Sequence, residues 1–231
     1  MDRNILLLFD IDGTLITGHG VPKKVAIEVI NRRFPQFNNG HEVAFNGMTD
    51  PLIVKEVLAA NDYHIDIKDP LINLILDEFI VELKKHVNPH SPPALLPGVK
   101  DFLEYCQHKS NVFIGLVTGN IMQGARIKLS AIDIYKYFAI GAFGCDHWNR
   151  NELPAIALKR AEKYFDLKFD TQDIWIIGDS PKDIECAKVN KFKCLAVETG
   201  KVDRQSLENK GADYLLKDLS NLNQLSKIFE I

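Results

Sequence analysis

The chain has no excess of basic residues: 28 Lys and Arg stand against 31 Asp and Glu, a formal net charge of -3. A protein that grips nucleic acid by its phosphates needs a cationic face, so no nucleic-acid partner is expected. No apolar run is long enough to cross a bilayer, so no membrane partner is expected either. The first apolar stretch, Ile5 to Phe9, is too short for a signal-peptide core and ends at an acid. The four cysteines, Cys106, Cys145, Cys186 and Cys194, form no CxxC pair and no zinc spacing. They read as free thiols of a reducing, cytoplasmic compartment. Internal repeats and low-complexity tracts are also missing. The remaining composition, 46% hydrophobic and 26% charged over 231 residues, suits one large globular domain or two modest ones.

Short β-rich apolar runs recur along the chain. They are Ile5–Phe9, Val112–Val117, Ala139–Phe143, Ile174–Ile177 and Cys194–Val197. Each is apolar at successive positions rather than at alternate ones, as expected of parallel strands covered on both faces. Amphipathic helical patterns lie between them, at Gly98–Lys109, Leu153–Tyr164 and Pro181–Asn190. The last begins after Ser180, a favourable N-cap with proline following it. This alternation predicts a doubly wound, Rossmann-like α/β core. Residues 18–93 break it: three helical patterns, Lys23–Phe34, Pro51–Ala60 and Pro70–Val87, run on to a linker-like Asn88-Pro89-His90-Ser91-Pro92-Pro93. The expected organisation is an α/β core of residues 1–16 and 95–231, with an inserted α-helical unit at 17–94.

Open parallel sheets bind ligands beyond the carboxyl ends of their strands. Three of those ends carry chemistry: Asp10-Ile11-Asp12-Gly13-Thr14, Thr118-Gly119-Asn120, and Gly178-Asp179-Ser180-Pro181-Lys182-Asp183. Asp10, Asp12, Asp179 and Asp183 gathered in one crevice would repel each other, and a divalent cation would relieve them. All-oxygen ligands favour magnesium, which in turn attracts phosphate. A carboxylate there can act as a nucleophile, and a second acid can move the leaving group's proton. Thr118, with the amides of Gly119 and Asn120 at a helix start, suits phosphate oxygens.

Competing motifs fail. An EF-hand loop starting at Asp10 would need Gly and Glu where Leu15 and Val21 stand. Gly119-x-x-x-x-Gly124 leads into Ala125-Arg126 rather than the Lys-Ser/Thr of a P-loop. Gly18-His19-Gly20 lacks the third glycine of a dinucleotide fingerprint.

Taken together, Asp10-Ile11-Asp12-Gly13-Thr14-Leu15, Val117-Thr118-Gly119-Asn120 and Gly178-Asp179-Ser180-Pro181-Lys182-Asp183 resemble the first, second and fourth motifs of the haloacid dehalogenase superfamily, in its phosphatase branch. The insertion is similar to that superfamily's helical cap domain. The resemblance implies that Asp10 forms an aspartyl-phosphate and binds Mg2+. It gives Asp12 the general acid/base role, with its main-chain carbonyl on the metal, and makes Asp179 and Asp183 metal ligands. An acid at position 12 favours phosphate esters, because a halide leaving group needs no proton. The family's third motif usually supplies a lysine. Here the segment reads Asp146-His147-Trp148-Asn149-Arg150-Asn151-Glu152-Leu153-Pro154, so Arg150 is expected in that place, with Lys159 the runner-up.

The activity so implied is hydrolysis of a small phosphorylated metabolite, with phosphoglycolate phosphatase the nearest named case, by a monomer or homodimer. Two alternatives use the same residues: a sugar-phosphate mutase of the β-phosphoglucomutase type, separable by assaying isomerised product against free phosphate, and a non-catalytic binding protein. In the insertion, Thr49 or Asp50 is expected as an N-cap, while Asn46, Thr49 and Asp50 are weak candidates for substrate selection and His19 and Lys23 weaker ones. His64, His86 and His108 are expected at the surface, and Trp148 and Trp175 in packing.

Overall fold

The computed structural model describes residues 3–231; residues 1 and 2 of the expected core lie outside the described residues. The strands are β1 (Ile5–Phe9), β2 (Ile16–Thr17), β3 (Ala94–Leu95), β4 (Val112–Val117), β5 (Ile140–Ala142), β6 (Ile174–Gly178), β7 (Lys193–Val197) and β8 (Tyr214–Leu216). The helices are α1 (Val21–Arg33), α2 (Asp50–Ala59), α3 (Pro70–His86), α4 (Val99–Gln107), α5 (Met122–Ser130), α6 (Leu153–Phe165), α7 (Pro181–Val189), α8 (Arg204–Lys210) and α9 (Leu222–Phe229).

Six strands form one parallel sheet in the order β5-β4-β1-β6-β7-β8. All five residues of β1 are buried, which is why Ile5–Phe9 is apolar without interruption. Ile5, Leu7 and Phe9 face α4, α5 and α9, whereas Leu6 and Leu8 face α6, α7 and α8. Truncating such a side chain, as in Leu7→Ala, costs about 2–5 kcal/mol. The sheet is therefore doubly wound.

Helices α1, α2 and α3 enclose a separate apolar cluster that includes Val29, Val57, Ile75 and Phe79. Helix α3 starts cleanly: the Asp69 side chain accepts from the Leu71 N–H at 2.9 Å, Pro70 follows, and Lys84, Lys85 and His86 close the last turn, where the helix dipole favours cations. The chain leaves and re-enters the sheet side by side, because β2 and β3 pair antiparallel through Ile16–Leu95 and Thr17–Ala94. The helical unit also touches the core, since Ile121 at the head of α5 belongs to its cluster.

Candidate active site

The Asp10 N–H donates to the Ile177 carbonyl at 2.9 Å, extending the β1–β6 ladder by one residue and fixing where the Asp10 carboxylate emerges. The chain then turns at Gly13, with φ of 90°. A side chain at Gly13 or Gly200 would collide with the Asp179 carboxylate, so both glycines make room for that acid. Thr14 donates to Asp179 Oδ1 at 3.1 Å, aligning the ends of β1 and β6.

Beyond β4, Thr118 Oγ1 accepts from Asn120 Nδ2 at 2.8 Å. Asn120 Nδ2 also donates to Asp12 Oδ2 at 2.8 Å. Lys128, on the inner side of α5 and only 3% exposed, completes the group. Its ammonium reaches Asp12 Oδ2 and Asn120 Oδ1, both at 2.6 Å. Asp12 is thus held by a buried cation and an amide, away from the other three acids.

Arg150 sits in a short 3₁₀ turn before α6 and is buried. Its guanidinium lies 3.2 Å from Asp10 Oδ1, ion-pairs with Asp183, and donates to the Gly47 carbonyl at 3.2 Å. Lys159 is exposed on α6, so Arg150 and not Lys159 is the cation at this position. Asp183 is fully buried and accepts from the Ser180 N–H at 3.0 Å and the Ser180 hydroxyl at 2.6 Å as well as from Arg150.

The segment Gly47–Asp50 clasps the helical unit onto the core. Asp50 N–H donates to the Gly119 carbonyl at 2.8 Å, and Asp50 Oδ2 accepts from the Ile121 N–H at 2.8 Å. Thr49 Oγ1 donates to the Trp148 carbonyl at 2.7 Å. Thr49 does stand at the N-cap position of α2, but neither it nor Asp50 caps that helix through its side chain. Both side chains are spent on the core instead, which corrects the simple N-cap expectation. Gly119 permits the approach, since a side chain there would collide with the Met48 carbonyl.

Asp10, Asp12, Asp50, Lys128, Arg150 and Asp179 line a cavity of about 550 Å³ between sheet edge and helices, with Asn46, Lys23 and His19 on its helical side. Burial pushes the Asp10 carboxyl up to about 6, against the opposing pull of Arg150, with Asp183 adding to the rise. Asp179 is pushed well above the usual carboxylate range, first by burial and then by the charges of Asp183 and Asp10. Carboxyl oxygens of Asp10, Asp179 and Asp183 all lie within 4.8 Å of one another. Asp10 Oδ1 accepts no hydrogen bond despite its burial. A crowded set of buried carboxylates with an unmatched oxygen fits a hard divalent cation. The Asp12 carboxylate stands outside that cluster.

Of the sequence candidates, Asp10, Asp12, Gly119, Asn120, Arg150 and Asp179 border one cavity. Thr118 and Asp183 stand behind it through their contacts with Asn120 and Arg150. Asn46 and Asp50, candidates for substrate selection, border the same cavity, whereas Lys128 was not among the sequence candidates. His64, His86 and His108 are exposed, as expected. Trp175 is packed in the core, but Trp148 is 42% exposed. No helix among the described residues is long and apolar enough to cross a membrane.

Comparison with known proteins follows the same lines. Residues 7–197 match the family model described as haloacid dehalogenase-like hydrolase. A phosphoglycolate phosphatase of Pseudomonas syringae pv. tomato is 25% identical over 223 residues, covering 94% of this chain and 78% of that protein. Another phosphoglycolate phosphatase, from Pseudomonas fluorescens, is 25% identical over 226 residues, with coverage of 94% and 78%. Among solved structures, a hydrolase from Pseudomonas syringae superposes with a TM-score of 0.73 at 20% identity, over 98% of this chain and 99% of the other. A protein provisionally assigned as a β-phosphoglucomutase, from Bacteroides vulgatus, gives 0.73 at 17% identity over 99% and 89%. At such identities the structural likeness speaks for the fold, while the family match spans most of the chain. This chain belongs to the haloacid dehalogenase-like hydrolase family.

Proposed function

We propose that the chain is a phosphatase that hydrolyses a phosphomonoester through an aspartyl-phosphate on Asp10, with Mg2+ as cofactor. The observation that carries this reading is the second acid. Asp12 lies two residues beyond Asp10, held by Lys128 and Asn120 and apart from the cluster of the other three carboxylates. An acid so held has a job separate from the nucleophile's, and phosphate-ester cleavage requires that job. The Pseudomonas relatives named phosphoglycolate phosphatase support the same class of chemistry.

In the first step the Asp10 carboxylate attacks phosphorus as the bond from phosphorus to the leaving oxygen breaks, and Asp12 gives that oxygen its proton. In the second, Asp12 takes a proton from water, whose oxygen attacks phosphorus and releases Asp10 and inorganic phosphate. Arg150 holds the Asp10 carboxylate in place and offsets charge on the phosphoryl oxygens, a use suited to a planar guanidinium. Thr118 acts through Asn120, and the Gly119 region receives a phosphoryl oxygen. Asp10, Asp179 and Asp183 would hold the metal, which when bound neutralises charge on the phosphoryl group.

We further read residues 17–94 as a cap domain on the 1–16 and 95–231 core, whose closure excludes water from the phosphoenzyme. A cytoplasmic setting suits the four unpaired thiols.

The test is phosphate release from acetyl phosphate or p-nitrophenyl phosphate, with and without Mg2+. Magnesium-dependent release that disappears in Asp10→Asn is expected. A folded protein with no such release would overturn the proposal.

A further inference from the structure

We propose that the alcohol half of the substrate is apolar: a phosphomonoester whose hydrocarbon leaving group lies along the inside of the helical unit. This rests on the phosphatase reading for the position of the phosphoryl group, and it adds the class of molecule attached to it.

The cavity that starts at Asp10 does not end at the catalytic acids. It continues into the helical unit, where Ala26 of α1, Ile53 and Val54 of α2, and Ile75, Leu76 and Phe79 of α3 line it. All but Ala26 are at most 7% exposed and belong to the unit's own apolar cluster. The hydrophobic core of the cap is therefore open toward the active site. An opening lined by apolar groups forfeits packing contacts unless something fills it, and it favours an apolar occupant over water. The whole cavity, catalytic end included, measures about 550 Å³, ordinary for a small-molecule site and generous for a phosphoryl group carrying two carbons.

The distribution of charge points the same way. Arg150 and Lys128 belong to the sheet edge and are already paired with carboxylates. On the helical side, the Lys23 ammonium donates to the carbonyls of His41 at 3.0 Å and Val43 at 2.7 Å, and lies 4.8 Å from the centre of the Phe45 ring. Burial first, and then the nearby charge of Lys201, lower the Lys23 ammonium; Lys201, the other lining lysine, is itself exposed. The six apolar side chains themselves offer no donor, and the Lys23 ammonium is already bonded to main-chain carbonyls. A carboxylate or second phosphate pushed between them would lose its water and gain no donor. A methylene chain or ring would lose nothing.

Two measurements test this, and they fail separately. Turnover of phosphate monoesters of straight-chain primary alcohols, from two to eight carbons, is compared with that of phosphoglycolate in the presence of Mg2+. Binding of the matching n-alkylphosphonates, which cannot be hydrolysed, is measured by titration calorimetry. Each added methylene is expected to improve kcat/KM and phosphonate affinity about three- to four-fold until the arm is full. Ala26→Phe, which narrows the arm, is expected to flatten that dependence. A phosphonate series that is flat or falling from two carbons on overturns the apolar-arm proposal, and so does a preference for phosphoglycolate over every alkyl ester of the series. Rising phosphonate affinity without turnover of any ester would leave the apolar subsite standing and remove the phosphatase reading.

Discussion

Replacing Asp50 with Asn gives a stability change that depends on pH in a calculable way. The Asp50 carboxyl is wedged where α2 meets the core, and burial pushes it up to about 6 from an ordinary 3.8. Lys128 and the Ile121 N–H oppose that rise without cancelling it. A carboxyl raised in the folded state favours folding below the unfolded value and loses that contribution as pH climbs through the folded one. The span from 3.8 to about 6 is roughly two units, or about 3 kcal/mol in full at 1.36 kcal/mol per unit. Between pH 4.5 and 7.5, linkage gives about 2 kcal/mol of it, because some is already lost at pH 4.5. Asp50 borders the cavity, so water moderates the effect and this figure is a ceiling. Asn keeps an oxygen for the Ile121 N–H but has no charge to desolvate. Asp50→Asn should therefore gain on the wild type by up to about 2 kcal/mol between those pH values, or roughly 4–8 °C in Tm for a chain of this size. Thermal unfolding followed by circular dichroism in EDTA, at half-unit pH steps, reads this directly. A difference between the two proteins that stays constant with pH would refute the reasoning.

Other substitutions probe the remaining groups. Asp10→Asn should lose at least about 10³-fold in kcat with its circular dichroism spectrum unchanged; retained turnover would remove Asp10 as nucleophile. Asp12→Ala should lose about 10²–10⁴-fold in turnover of esters with poor leaving groups, and less with p-nitrophenyl phosphate, whose leaving oxygen hardly needs a proton. Lys128→Met strips the cation from Asp12 and Asp50; since Asp12 is partly exposed, a loss of about 1–3 kcal/mol is expected at pH 7.5, with part recovered in the double variant with Asp50→Asn. Gly200→Ala drives a methyl into the Asp179 carboxylate and should raise the Mg2+ concentration for half-maximal activity about 10- to 100-fold, read from a metal titration of phosphate release.

The sheet was legible because its strands are buried on both faces and so are written as unbroken apolar runs; Ile5–Phe9 and Ile174–Ile177 fall within β1 and β6. Strand β8 was not, because it is an edge of three residues beginning with the exposed Tyr214. The β2–β3 pair was hidden for a related reason. Two residues on each side carry no periodicity, and Ala94–Leu95 are exposed, so their pairing is set by the chain's need to leave and rejoin the core at one place.

The site divides along the same physical line. Asp10, Asp179 and Arg150 could be read because they sit at fixed offsets from strand ends or helix starts, where main-chain geometry dictates what faces the ligand. Lys128 follows no such rule. In Met122–Ser130 it occupies one face together with Ala125 and Leu129, and a lysine at such a position normally swings its ammonium out to water. Here it stays inside because Asn120, just before α5, and Asp12, at the end of β1, supply acceptors at 2.6 Å. Nothing in the α5 sequence itself announces the Asp12 partner. Asp50 is the mirror case: its sequence context is that of a helix cap, yet its carboxylate accepts from the Ile121 N–H at the head of a different helix, α5. Lys128 joins α5 to the end of β1, and Asp50 joins the insertion to the core; each is recognised only once segments far apart in sequence are seen together.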